Sequence, residues 1–281
     1  MIYEVLHLKE YFPVLGQDGK DPTMTSYLPD NIEEMGRADW KRPNLIVCPG
    51  GAYAYCSDRE AEPIALNFLS AGFNVFVLRY SCAPHAFPCQ LREVAAVLEL
   101  ISQNAENWHC DTGKTAIMGF SAGGHLAAHY STSYDIAEVR AIFPDSKPVQ
   151  ASVLGYPVIG AFEGSHIGSF CNLLGVEWPS EEQVEKFSCE NLVTDHTPPA
   201  FLWHISADDA VTVKNTLRYA SALAEHSIPM AVHIYSAGWH GLSTVDDQTN
   251  RPLTEEIRVA ANWIPEAKKW LQMILELKLP T

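Results

Sequence analysis

The chain has 281 residues, 47% of them hydrophobic and 19% charged, which places it among globular proteins able to bury one large core. Its 19 Lys and Arg stand against 34 Asp and Glu, a formal charge of −15. That is the wrong sign for neutralising nucleic-acid phosphates or anionic lipid, so neutral or cationic small molecules are the expected partners and nucleic acid and membrane are not.

In chain order, the first element is an alternating apolar and polar run near residues 2–8, which reads as a strand and not as the apolar heart of a secretory leader. A second short strand near 24–28 follows a turn-rich stretch holding Gly16, Asp18, Gly19 and Pro22, so the two are expected to form an antiparallel edge. From there the pattern changes to short aliphatic runs at 44–48, 74–80, 115–119, 151–155, 200–206 and 231–235. Amphipathic segments of helical length lie between most of them, at 59–71, 90–104, 121–130 and 213–226. Strand runs apolar on both faces, alternating with helices, indicate a mostly parallel twisted sheet covered on both sides. A last helix is expected from about 254 to 277, bent or restarted at Pro265.

The stretch 159–199 breaks the alternation with Gly, Ser, Glu and aromatic residues, and with a helix-start signal at 179–182. A segment this long inside a compact domain is usually functional. It is read as a cap inserted into a single domain spanning 1–281, lying over the carboxyl edge of the sheet where open α/β folds bind ligands. Seven scattered cysteines without a Cys-x-x-Cys pair argue against a disulfide framework and a zinc site. With no apolar run of roughly 18 residues, the expectation is a cytoplasmic protein with reduced thiols.

Four loops carry the chemistry. Gly119-Phe120-Ser121-Ala122-Gly123 sits between a strand and a helix, the setting that a G-x-S-x-G nucleophile elbow requires. Ser121 is therefore the expected nucleophile, with the backbone N–H of Ala122 at the helix start aimed at an oxyanion. Pro49-Gly50-Gly51-Ala52-Tyr53 ends an earlier strand with small residues, and leaves the amides of Gly51 and Ala52 to complete an oxyanion hole. A carboxylate follows the 200–206 strand at Asp208 or Asp209, and an imidazole follows the 231–235 strand at His240. A neutral serine hydroxyl attacks poorly until a base takes its proton, and that base must be held in one tautomer, so a Ser, Asp, His order is chemically sensible. His125 lies four residues past the serine on the same helix; it can help line the site but cannot take the base position.

Taken together these residues resemble the hormone-sensitive-lipase-like and acetyl-xylan-esterase-like branch of the α/β-hydrolases. The likeness extends to Leu78-Arg79-Tyr80 with Ala83-Pro84-His85-Ala86-Phe87-Pro88, and to Asn191-Leu192-Val193 with the 197–204 approach to the acid. The family register through Val211, Val213 and Asn215 favours Asp208 over Asp209 as the acid, although Thr212 replaces a usual proline. Pro49 in place of a histidine and Ala52 in place of a third glycine are similar to sugar-ester members. The resemblance therefore implies an α/β-hydrolase fold, and a serine carboxylesterase for short acyl, foremost acetyl, esters of carbohydrates, without metal or organic cofactor. Bulky Tyr53, Trp178 and Trp203 are expected near the acyl pocket.

Two other readings stay open. A serine aminopeptidase shares the elbow, and Glu163, Glu177, Glu181 and Glu182 in the cap could bind a peptide amine. A non-catalytic ligand-binding descendant of the fold is the third, disfavoured because all three side chains are present. A homodimer is the prior expectation for the assembly.

Overall fold

The computed structural model describes residues 1–162 and 165–277. Eight strands, β1 (Ile2–His7), β2 (Thr23–Leu28), β3 (Arg42–Cys48), β4 (Asn74–Arg79), β5 (Cys110–Phe120), β6 (Ala151–Gly155), β7 (Ala200–Ile205) and β8 (Met230–Tyr235), form one sheet in the order β1-β2-β4-β3-β5-β6-β7-β8. The β1/β2 and β2/β4 pairs are antiparallel, and all pairs from β4 through β8 are parallel. The mostly parallel sheet and its antiparallel edge are those that the alternating runs predict, and the whole is the α/β-hydrolase arrangement that the resemblance implies.

Strand periodicity accounts for the two cores. In β3, Leu45 and Val47 point into one apolar cluster and Ile46 and Cys48 into the other, all fully buried. The Cys89–Gln103, Ala122–Ser133 and Lys214–Glu225 helices cover one face, while Glu62–Leu69 and Trp263–Ile274 cover the other. On the second face Trp203 stacks on Trp263 with ring centroids 4.9 Å apart. The expected last helix breaks ahead of Pro265 and not at it: Glu255–Arg258 passes through a 3₁₀ stretch over Val259–Asn262 into Trp263–Ile274, and Pro265 lies in that helix's first turn, where its missing N–H costs nothing.

Between β6 and β7 the chain forms helices at Ile167–Leu174 and Glu181–Phe187, the second begun by a capping box in which Ser180 and Gln183 exchange hydrogen bonds. This is the segment set apart by composition.

Parallel pairing has one decisive consequence. β3, β5, β7 and β8 run the same way and in register, with Cys48 opposite Gly119, Phe120 opposite Gly155, Gly155 opposite Trp203 and Ile205 opposite Tyr235. Their carboxyl ends therefore open on one edge, and the loops bearing residues 49–53, 121, 208 and 240 rise side by side from it.

Candidate active site

The turn after β5 is built by close approach. A Cβ on Gly119 would lie 2.0 Å from the carbonyl oxygen of Gly123, and one on Gly123 would lie 2.1 Å from that of Cys48. Only glycine fits either place. Between them Ser121 takes φ 52° and ψ −121°, a strained backbone that projects its side chain out of the sheet plane. Its amide bonds Gly155 and its carbonyl accepts from Val158 and His125, so the strain is held by both β6 and the helix that starts at Ala122.

His240 Nε2 lies 2.8 Å from Ser121 Oγ, and His240 Nδ1 lies 2.7 Å from Asp208 Oδ2. An ionised carboxylate only accepts, so Nδ1 carries the ring proton and the Nε2 lone pair faces the serine hydroxyl. The second oxygen, Oδ1 of Asp208, accepts from the backbone N–H of Ala210 at 3.0 Å and of Val211 at 2.9 Å. Burial raises the Asp208 pKa, but the N–H groups around it outweigh that and hold it well below the usual carboxylate range. The neighbouring Asp209 is exposed and, among the described residues, has no hydrogen bond to His240. The structure thus brings Asp208, and not Asp209, to His240.

Near the serine the loop 49–53 contributes its amides. The amide of Gly50 is committed to Glu60 Oε2 at 2.7 Å. Among the described residues, the N–H groups of Gly51, Ala52 and Ala122 meet no protein acceptor. Gly51, Ala52 and Tyr53 all have positive φ, of 129°, 55° and 58°. Two of these are not glycine, so the loop is held from outside: Asn172 Nδ2 donates to the Ala52 carbonyl at 2.8 Å, and the Ala83 amide donates to that of Tyr53 at 2.7 Å. Gly51, Ala52, Ser121 and His240 line a hollow of about 200 Å³ together with Tyr55, Ser57, Arg59, Glu60, His166, Ala210 and Gly241.

Four further residues shape this place without a legible sequence signal. Glu60, buried, ties Gly50 to Tyr156, whose hydroxyl donates to Glu60 Oε1 at 2.6 Å and accepts from the Ser243 amide at 3.0 Å. The Tyr156 ring also meets His240 edge-on at 5.1 Å. One carboxylate thus links the loop of Gly51 and the loop of His240. Buried His204 gives its Nε2–H to the Val211 carbonyl at 2.8 Å, 3.5 Å from Asp208 Oδ2, and accepts from Thr216 at Nδ1. His166 enters from the β6–β7 segment, and its burial and the nearby His240 both lower its pKa.

Four sequence expectations need correction. Tyr53 and Trp203 are fully buried, Tyr53 against His125 and Trp203 under the sheet on Trp263, so neither lines the hollow. Trp178 is 72% exposed and borders a different hollow with Phe162 and Glu181. His125 does not line the site either. Its Nε2–H donates to the Phe187 carbonyl at 2.8 Å, which leaves Nδ1 to accept from the Tyr53 hydroxyl at 2.9 Å, and burial lowers its pKa to about 4. It braces the loop 49–53 and the segment holding Phe187 from below.

The glutamates weighed for a peptide amine fare similarly. Glu177, Glu181 and Glu182 are exposed and none borders the hollow at Ser121, while Glu163 lies outside the described residues.

The model of the family described as BD-FAE matches residues 31–223, more than half of the chain. The chain belongs to the BD-FAE family. That match takes in Ser121 and Asp208 and ends before His240. Among relatives of this BD-FAE chain, endo-1,4-beta-xylanase B of Butyrivibrio fibrisolvens is 34% identical over 79% of the chain and 36% of its own length. The acetylxylan esterase of Xylanibacter ruminicola is 32% identical over 83% of the chain and 46% of its own length. The chain thus spans less than half of these two relatives. In structure, the acetyl ester-xyloside bifunctional hydrolase of Caldicellulosiruptor lactoaceticus superposes with a TM-score of 0.82 at 31% identity, over 96% of both chains. The carboxylesterase Cest-2923 of Lactobacillus plantarum superposes with a TM-score of 0.84 at 28% identity over the whole of both.

Proposed function

We propose that this BD-FAE chain is a serine carboxylesterase that removes short acyl groups, acetyl foremost, from carbohydrate esters through an acyl-enzyme on Ser121. The carrying observation is the hydrogen-bonded line from Ser121 Oγ to His240 Nε2 and from Nδ1 to Asp208, beside three uncommitted backbone amides. The names of the xylan-acting and acetyl-ester relatives support the substrate class.

In this reading His240 Nε2 takes the hydroxyl proton as Ser121 Oγ bonds the acyl carbon, and the carbonyl oxygen takes its negative charge toward the amides of Gly51, Ala52 and Ala122. Asp208, already anionic, favours the imidazolium that forms. Collapse of the tetrahedral species breaks the ester C–O bond, and the alcohol leaves with the proton from His240. Water, deprotonated by the same nitrogen, then splits the acyl-enzyme to a carboxylic acid and free Ser121. No step calls on a metal or organic cofactor. The segment 159–199 acts as a cap, reaching the site through His166 and steadying the oxyanion loop through Asn172. The reading keeps a single catalytic domain and a reducing, cytoplasmic setting, for which the unpaired cysteines speak.

The test is chemical. A fluorophosphonate probe should label the wild type at Ser121, and Ser121→Ala should lose acetyl-ester turnover by about 10⁴-fold or more with its circular dichroism unchanged. Labelling at another residue, or turnover surviving in the variant, refutes the assignment.

A further inference from the structure

Beyond the hollow at Ser121 lies a second, shallower one of about 610 Å³, lined by Arg59, Trp239, Gln248, Thr249, Asn250 and Arg251. The two adjoin. Arg59 borders both, and Trp239 is followed directly by His240 and Gly241, which line the first. A Cβ on Gly241 would fall 3.1 Å from the Arg59 guanidinium, so that cation stands at the boundary between the hollows.

Two cations, Arg59 and Arg251, meet in this hollow. On a chain of net charge −15, four of the nine arginines hold carboxylates, Arg79 to Asp58, Arg140 to Asp135, Arg218 to Glu190 and Arg258 to Asp247, while Arg42 and Arg92 bond the backbone carbonyls of Asp30 and Glu138. Among the described residues, no carboxylate lies within ion-pair distance of Arg59 or Arg251. The nearby acids are otherwise engaged. Asp58 and Asp247 hold those other arginines, and Asp246 Oδ1 accepts the amides of Gln248 and Thr249. Trp239 is 40% exposed and supplies an aromatic face in the same hollow.

Such a composition suits one kind of guest. Indole faces take the apolar face of a pyranose ring, amide side chains serve hydroxyls, and guanidinium groups match an oxyanion with paired N–H bonds. We propose that this hollow is a subsite for the alcohol half of the ester, and that it selects an alcohol carrying an anionic group, a uronate carboxylate on a sugar ring. The inference rests on the esterase reading above. It adds that two arginines draw an acidic sugar ester to a site whose overall protein charge would otherwise repel it.

The experiment compares three acetylated methyl glycosides at low ionic strength: a hexuronoside, its neutral uronamide, and a hexoside 6-phosphate. The wild type should show kcat/KM about tenfold higher on the uronate than on the uronamide, chiefly through KM, the worth of one charge-assisted contact. In Arg251→Gln that ratio should fall at least threefold, and in Arg59→Gln with Arg251→Gln it should approach one. Added salt should lower the wild-type ratio. A ratio near one in the wild type, or one unmoved in the double variant, overturns the proposal while leaving the esterase reading intact. Preference for the phosphate over the uronate overturns the carboxylate assignment. Loss of turnover on all three, and on a simple acetyl ester, would instead reject the esterase reading together with this one.

Discussion

Asp208→Asn should nearly abolish turnover while the adjacent Asp209→Asn leaves it almost whole, and the hydrogen bonds around Asp208 say why. Its Oδ1 accepts two backbone N–H groups, from Ala210 and Val211, and its Oδ2 accepts His240 Nδ1–H at 2.7 Å. An asparagine has one oxygen and one NH₂. The two backbone donors fix the oxygen at the Oδ1 place, since the reverse orientation would set an NH₂ against two N–H groups. The NH₂ then faces Nδ1, and the imidazole relieves the donor–donor clash by moving its proton to Nε2. That proton points at Ser121 Oγ, and the base is lost. The loss should approach the ~10⁴-fold that the equivalent change produces in serine proteases, about 5.5 kcal/mol of transition-state stabilisation. Asp209, exposed and outside this network, should change the rate less than about threefold. Side-by-side kcat values for the two variants on one acetyl ester at neutral pH make the comparison, with thermal melts to show that both are folded. Asp208→Asn within tenfold of wild type, or Asp209→Asn as damaged as Asp208→Asn, would refute the reasoning.

A hollow of about 200 Å³ admits an acetyl group more readily than a long chain, so kcat/KM on a p-nitrophenyl ester series should fall from acetyl to octanoyl; a rise would move the acyl site elsewhere. Glu60→Gln keeps only one acceptor for the two donors Gly50 N–H and Tyr156 O–H, so kcat should drop roughly tenfold with little change in KM as the oxyanion loop loses its register. Unchanged kcat would make Glu60 merely structural. His125, neutral in the fold with a pKa of about 4 against an ordinary 6.5, binds its proton in the unfolded chain first. Stability from this group is therefore complete above pH 6.5 and falls with pH down to about 4, a loss of about 2 kcal/mol between pH 7 and pH 5. Buried Glu93, raised by burial to about 7, slopes the other way, so urea midpoints of His125→Gln must be compared with wild type at each pH. Parallel midpoint curves for the two would contradict the assignment.

What the sequence determined by itself was the part written in local periodicity and in turn chemistry. Apolar runs on both strand faces required a covered parallel sheet, and Gly119 and Gly123 around Ser121 marked a turn in which the chain passes within about 2 Å of where a Cβ would sit. Parallel order then sends every βα loop to one edge, which is why Ser121, Asp208 and His240 could be singled out though 87 and 32 residues separate them. Side-chain direction within that edge was decided only by packing. Tyr53 and Trp203 are close in sequence to the loops of the site, yet Tyr53 turns under its loop to His125 and Trp203 alternates to the far face of the sheet. Glu60, Tyr156 and His166 had no pattern to announce them, because each acts through a partner distant in the chain: Glu60 meets Tyr156 across 96 residues. A contact of that kind exists only once the sheet has set the two loops side by side, so its energy, and the position it gives to the amides beside Ser121, belong to the tertiary structure alone.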